Sequence, residues 1–172
     1  NQDIYYNSVN ITSTSTSGGR ALYVDGGGSS VNVMNNIFAN HGGGYAYYVG
    51  TTAAIGTSNY NDLFTTGNFL AYWNGNRVDL AALQAASSKD ANSVSAYPHF
   101  TSSTDLHTAT PWVNAKATVL ATVSDDIDGQ ARDGSTPDIG ADEFTPDPST
   151  TTPLAGVYTI GSGGNYVSFA AA

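Results

Sequence analysis

The sequence has no cysteine. Disulfides, thiolate nucleophiles, zinc–thiolate centres and iron–sulfur ligation are all excluded, and the redox compartment stays open. Charge is also scarce. Only 11% of residues are charged, less than half of the roughly 25% usual in globular domains. Five are basic and 14 acidic, giving a net charge of −9. Nucleic acid and anionic membrane both need positive charge to displace counterions, so neither is an expected partner. No run approaches the roughly 18 apolar residues of a membrane helix. The lack of charge does not mean disorder, because 40% of residues are hydrophobic and 11 are Tyr.

What remains is a 172-residue chain rich in Gly, Asn, Ser and Thr, long enough for one domain or one domain and a fragment. It opens on Asn1 without a charged or apolar leader and closes on Phe169-Ala170-Ala171-Ala172 without a stop signal. Both ends read as cuts through structure.

Three segments share one pattern. Tyr6-Asn7-Ser8-Val9-Asn10-Ile11, Met34-Asn35-Asn36-Ile37-Phe38 and Tyr60-Asn61-Asp62-Leu63-Phe64 are each followed by a Gly or Ser/Thr turn and a second β-like run. Those second runs end at Val24, Val49 and Trp73. Placing the leading Asn at 7, 35 and 61 gives steps of 28 and 26 residues. Val31-Asn32-Val33-Met34 alternates as a strand does. A unit of two or three short strands cannot bury its own apolar face, but stacked on a like unit it can. The expected fold is therefore all-β, a parallel β-solenoid, with Asn7, Asn35 and Asn61 forming an inward amide ladder. A β-sandwich with these Asn in separate hairpin turns is the competing arrangement. About half of the Tyr and Trp must point inward, so a stacked aromatic ladder in the core is expected. Outward-facing rings would instead suit sugars.

After Trp73 the pattern changes. Asp79 to Ala86 reads as the one short helix, with Leu80 and Leu83 on one face. Extended structure should return over 93–100, a strand or loop over 110–123, and Asp/Gly turns over 125–142. Residues 145–155 form a Pro/Thr-rich linker, a semi-rigid spacer and possible O-glycan carrier. Residues 156–172 look like an opening strand. The expected division is 1–144, 145–155 and 156–172.

Asp126-Ile127-Asp128-Gly129-Gln130-Ala131-Arg132, followed by Pro137-Asp138-Ile139-Gly140-Ala141-Asp142-Glu143-Phe144, resembles the signature ending right-handed parallel β-helix domains of bacterial secreted and surface proteins. Residues 91–100 and Thr104-Asp105-Leu106-His107 resemble preceding segments of that family, and 156–169 resembles the start of such a domain. The resemblance implies a window cut from a tandem array, at an extracellular or cell-surface location in a bacterium.

Calcium favours oxygen ligands, and Asp126, Asp128 and Asp138 are the candidates. Their spacing lacks the EF-hand run, so turn-forming and structural roles are expected, with no cofactor. Arg132 should pair with Asp142 or Glu143 and fasten the end of the helix. Asp3, Arg20, Asp25, His41 and Asp62 are too dispersed to mark an active site, and His41, His99 and His107 read as structural. No catalysis is expected.

Only about three coils fit before residue 73, close to the ~3 repeats a solenoid needs. The first coil has no polar cap. The tail residues Val157, Tyr158, Ile160, Tyr166 and Phe169 are expected to cover that coil in the next copy, or in an adjacent repeat of one polypeptide, head to tail. The alternative is a carbohydrate-active β-helix enzyme (polysaccharide lyase or glycoside hydrolase) or its glycan-binding accessory domain. A cluster of acids and bases on one solvent face would favour it.

Overall fold

In the computed structural model, residues 1–16, 18–26 and 30–146 are described. The strands come in groups of three. The first group is β1 (Gln2–Tyr5), β2 (Ser8–Ile11) and β3 (Arg20–Val24). The second is β4 (Val31–Met34), β5 (Ile37–Asn40) and β6 (Tyr45–Val49). The third is β7 (Ile55–Asn59), β8 (Asp62–Thr65) and β9 (Ala71–Trp73). Two further elements follow, β10 (Asn76–Arg77) and helix α1 (Leu80–Ser87).

Each strand pairs in parallel with the strand three places on. The orders are β1-β4-β7, β2-β5-β8 and β3-β6-β9, with β10 added antiparallel to β9. The chain is thus mostly β, with three sheets of parallel strands and, among the described residues, one short helix. Like side chains therefore stack. Val9, Phe38 and Leu63 are successive partners, as are Leu22, Tyr47 and Ala71, and Val24, Val49 and Trp73. Strand alternation turns these rows toward one apolar core.

The expected core ladder of aromatics needs correcting. Tyr47 and Trp73 are buried, but Tyr23, Tyr48 and Tyr72 form a row in register on the outer face. Ring centroids are 5.4 Å and 4.5 Å apart, and the Arg20 guanidinium lies 4.6 Å from the Tyr23 ring and 4.1 Å from Tyr48. Consecutive residues in a strand face opposite ways, so Tyr47-Tyr48 must divide between core and surface.

The helix matches its expected place to one residue. Asp79 caps it, its side chain accepting from the Ala82 N–H at 2.8 Å, and Ser88 ends it in the left-handed region. Leu83 is fully buried and Leu80 packs against the same core. Together with residues 90–94, α1 closes one side of the stack. Val94 bridges β8, and the Asp90 N–H donates to Ser58 on β7. The opposite side differs. Among the described residues, strands β1, β2 and β3 are terminal in their sheets, and Ile4, Val9 and Leu22 are only half-buried.

Beyond the Val94 bridge the chain forms no regular strand through residue 146, so the extended run expected over 93–100 is reduced to that bridge. Instead it lies across the corner between the β1-β4-β7 and β2-β5-β8 sheets. Tyr6, Ile37, Val113, Ala117 and Ile139 make a second, smaller core there. This explains why β5 is buried on both faces: Phe38 faces the first core and Ile37 the second. Gly140 lets the segment approach, at φ +106°, where an added Cβ would fall 2.7 Å from Ile37 Cδ1. Its N–H donates to the Asn35 carbonyl at 2.9 Å.

Candidate functional site

Two constellations stand out, one holding the fold and one facing solvent. The first is an amide ladder, and it corrects the expected register by one residue. The ladder runs Asn7–Asn36–Asn61, at steps of 29 and 25 residues. The Asn36 Oδ1 accepts both the backbone N–H and the side-chain amide of Asn7, each at 2.9 Å. The Asn61 Oδ1 does the same for Asn36, at 3.0 Å each. Ser93 Oγ ends the row by accepting the Asn61 N–H. The same amide nitrogens also reach corner carbonyls, Met34 and Ile4 for Asn36, which shares its two protons among three acceptors, and Val33 for Asn61. The residue before each ladder Asn has positive φ: Tyr6 (54°), Asn35 (62°) and Tyr60 (56°).

Asn35 therefore turns the corner and has a different task. Its Nδ2 donates to the Thr118 carbonyl and its Oδ1 accepts the Thr118 N–H, at 2.8 and 3.1 Å. It clasps the C-terminal segment to the sheets. The sequence does not separate Asn35 from Asn36, because Asn35-Asn36-Ile37 and Asn36-Ile37-Phe38 both place an apolar residue third.

Arg132 also fastens that segment, at the side of the strands rather than at their end. It is almost fully buried, lies 3.9 Å over the Tyr6 ring, and donates to the carbonyls of Gly140 and Ala141. Its expected carboxylate partner is Glu143, at 3.7 Å. Asp142, the other partner considered, points elsewhere and belongs to the second constellation.

The calcium candidates Asp126, Asp128 and Asp138 do not converge. Asp138 is buried and spends its two oxygens on the N–H groups of Ala115 and Phe144. Burial pushes its pKa up to about 6. Asp126 accepts from the N–H groups of Asp128, Gln130 and Glu143. Burial works against ionisation there, but these donors outweigh it and hold Asp126 below the ordinary carboxylate range. Only Asp128 remains free to act, and it joins residues whose spacing in the sequence gives no sign of a site.

The second constellation is His107, Asp128 and Asp142, whose ligand-type atoms all lie within 4.8 Å of one another. Three loops deliver them. The 101–107 loop is pinned by Thr101 N–H to the His107 carbonyl and Ser102 N–H to that of Asp105. The 126–130 turn forms around the Asp126 carboxylate, with Gly129 at φ +77°. Asp142 follows Gly140, held by Arg132. The His107 Nδ1 is 2.5 Å from Asp105, and Nε2 is 2.9 Å from Asp128. The hydrogen bond to Asp105, then that to Asp128, raises the imidazole pKa to about 9. Asp142 is 7% exposed, and burial raises its pKa. The group lines an open groove of about 600 Å³ with Gln130 and Glu143. Sequence spacing could not join residues 107, 128 and 142, because non-repeating loops bring them together.

No family model matches the chain, and neither a curated protein nor a solved structure matches it significantly. Among the described residues no helix is long and apolar enough to cross a membrane. The assembly residues Val157, Tyr158, Ile160, Tyr166 and Phe169, and the linker from residue 147 onward, lie outside the described residues.

Proposed function

We propose that the three sheets are the faces of a right-handed parallel β-helix, and that the chain is a structural module of an extracellular bacterial filament, adhesin or surface array. One observation carries the reading. The layers are in register and closed on one side by α1, β10 and Val94, while among the described residues β1, β2 and β3 present unpaired outer edges over a half-buried apolar layer. Such edges are templates for further strands. In this reading another layer covers them, supplied by the tail of a neighbouring copy or by an adjacent repeat of the same polypeptide, and modules follow head to tail. The likeness of residues 126–144 to bacterial surface β-helix domains supports the location. No catalytic chemistry is assigned.

The test is a chain carrying residues 1–172 twice in tandem. Stacked modules make its melting temperature exceed that of the single chain. Removing residues 153–172 from the first copy should abolish the difference. Equal melting temperatures for single and tandem chains would reject the module reading.

A second reading has an observation of its own. The row Tyr23, Tyr48 and Tyr72 lies on the outer face, with its rings stacked on one another and Tyr23 the most exposed, and exposed aromatic rings of this kind can stack on sugars. A glycan-binding accessory module would lose affinity for immobilised polysaccharide on Tyr23→Ala and Tyr72→Ala. Retention of that affinity by both variants would exclude this surface.

A further inference from the structure

We propose that His107, Asp128 and Asp142 form a binding site for a divalent first-row transition ion of the zinc class, tying the 101–107 loop to the terminal segment.

Three features carry the proposal. The first is the donor set. One imidazole and two carboxylates are brought within 4.8 Å of one another from three separate loops. Ligands bound to such an ion at about 2.1 Å lie about 3.3 Å apart. Small rotations of the two half-exposed side chains, His107 and Asp128, bring them to that spacing.

The second is Asp142 itself. It is more than nine-tenths buried, and its carboxylate makes no hydrogen bond of ordinary geometry within the described residues. The Thr108 N–H gives it only weak support. Its oxygens are not sealed from solvent, and the cationic partner facing them is the His107 ring. It opens onto the groove at the point where the His107 ring and Asp128 converge.

The third is Asp105. Its carboxylate, 2.5 Å from the His107 Nδ1, fixes the ring so that Nε2 faces Asp128. A carboxylate on the far nitrogen is the usual orienting partner of a metal-bound histidine.

The imidazole selects the ion. Calcium and magnesium take all-oxygen sites, whereas zinc, manganese, cobalt and nickel accept imidazole beside carboxylate. Three protein ligands leave a coordination position facing the groove for water or a neighbouring group. Without an ion, protonated His107 supplies the positive charge between the carboxylates. Metal entry displaces that proton to solvent.

The test is zinc binding to the full chain by isothermal titration calorimetry and thermal melting, with cobalt as a spectroscopic probe. One zinc per chain should bind with a dissociation constant in the micromolar range or tighter. Saturating zinc should raise the melting temperature by several degrees. Cobalt should develop visible absorption bands of an N/O site. The variants His107→Gln and Asp128→Asn alter half-exposed side chains, so circular dichroism should show them folded. Both should lose the zinc-induced rise, and Asp105→Asn should weaken binding about tenfold. Zinc binding that is absent at 100-fold excess over protein would overturn the proposal. So would undiminished binding in folded His107→Gln or Asp128→Asn, or an equal melting rise with calcium.

Discussion

Asn61 Oδ1 receives two hydrogen bonds from one residue, the backbone N–H and the side-chain amide of Asn36, both at 3.0 Å. The same fork joins Asn36 to Asn7 one layer away. Each amide therefore satisfies a corner in its own layer and fixes the register of the next. In a stack of short strands a one-residue slip would move every core side chain to the wrong face.

Asn36→Ala should cost more than Asn7→Ala. It removes the acceptor of the Asn7 N–H and a donor to the Ile4 and Met34 carbonyls, the latter keeping the Tyr6 N–H, for a loss of about 3 kcal/mol. Asn7→Ala, in an exposed layer, should cost less than about 1 kcal/mol. Urea unfolding of the two variants measures the difference, and equal losses would mean that the ladder does not set stability.

Tyr47→Ala and Tyr48→Ala separate the two faces of β6. Tyr47 is fully buried between Leu22 and Ala71, so truncation should cost about 3–5 kcal/mol. Tyr48 stacks on the surface, 4.5 Å from Tyr72, and its loss should cost about 1 kcal/mol. Denaturant midpoints check the order.

Gly140→Ala should loosen the terminal segment. The new Cβ meets Ile37 Cδ1 at 2.7 Å and Ser8 Oγ at 2.9 Å, on a backbone at φ +106°. A loss of about 1–3 kcal/mol is expected. Limited proteolysis should then cut between residues 95 and 146 before it cuts the strands. Simultaneous loss of both regions would show that they unfold as one unit.

Stability should decline from mildly acidic pH toward pH 8. Burial raises the pKa of Asp62 from 3.8 to about 8, that of Asp138 to about 6, and that of Asp90 upward. Between their unfolded and folded pKa values these acids bind more protons folded than unfolded, so stability falls as pH rises through that window. His107, raised from 6.5 to about 9, adds stability that is present below 6.5 and lost toward 9. Asp133, held at about 2 chiefly by the Thr136 N–H, works the other way, its contribution being lost only as pH falls from about 4 toward 2. Asp62→Asn keeps the acceptor for the Ala96 N–H and removes the buried acid. It should flatten the decline and raise the melting temperature at pH 8. An unchanged pH profile in that variant would show that Asp62 does not govern it.

The three parallel-strand segments and the capped helix were legible in the sequence, because alternation and capping act over neighbouring residues. The amide ladder was legible in kind but misplaced at its middle rung. Asn35 and Asn36 are both Asn, and only the backbone turn decides which of them points along the stack. The outward row of tyrosines was misassigned because composition counts rings without fixing their face.

The sequence alone determined a chain with no thiol chemistry, little charge and a period near 26 residues, since those properties need no spatial partner. Tertiary structure decided the rest. It laid residues 95–146 against the flank of the strands, gave Arg132 the Tyr6 ring to cover, and closed His107, Asp128 and Asp142 into one group. Those contacts span up to 133 positions, from Ser8 to Ala141, between segments without periodicity. Only packing of the second core around Ile37 and Ile139 brings them together.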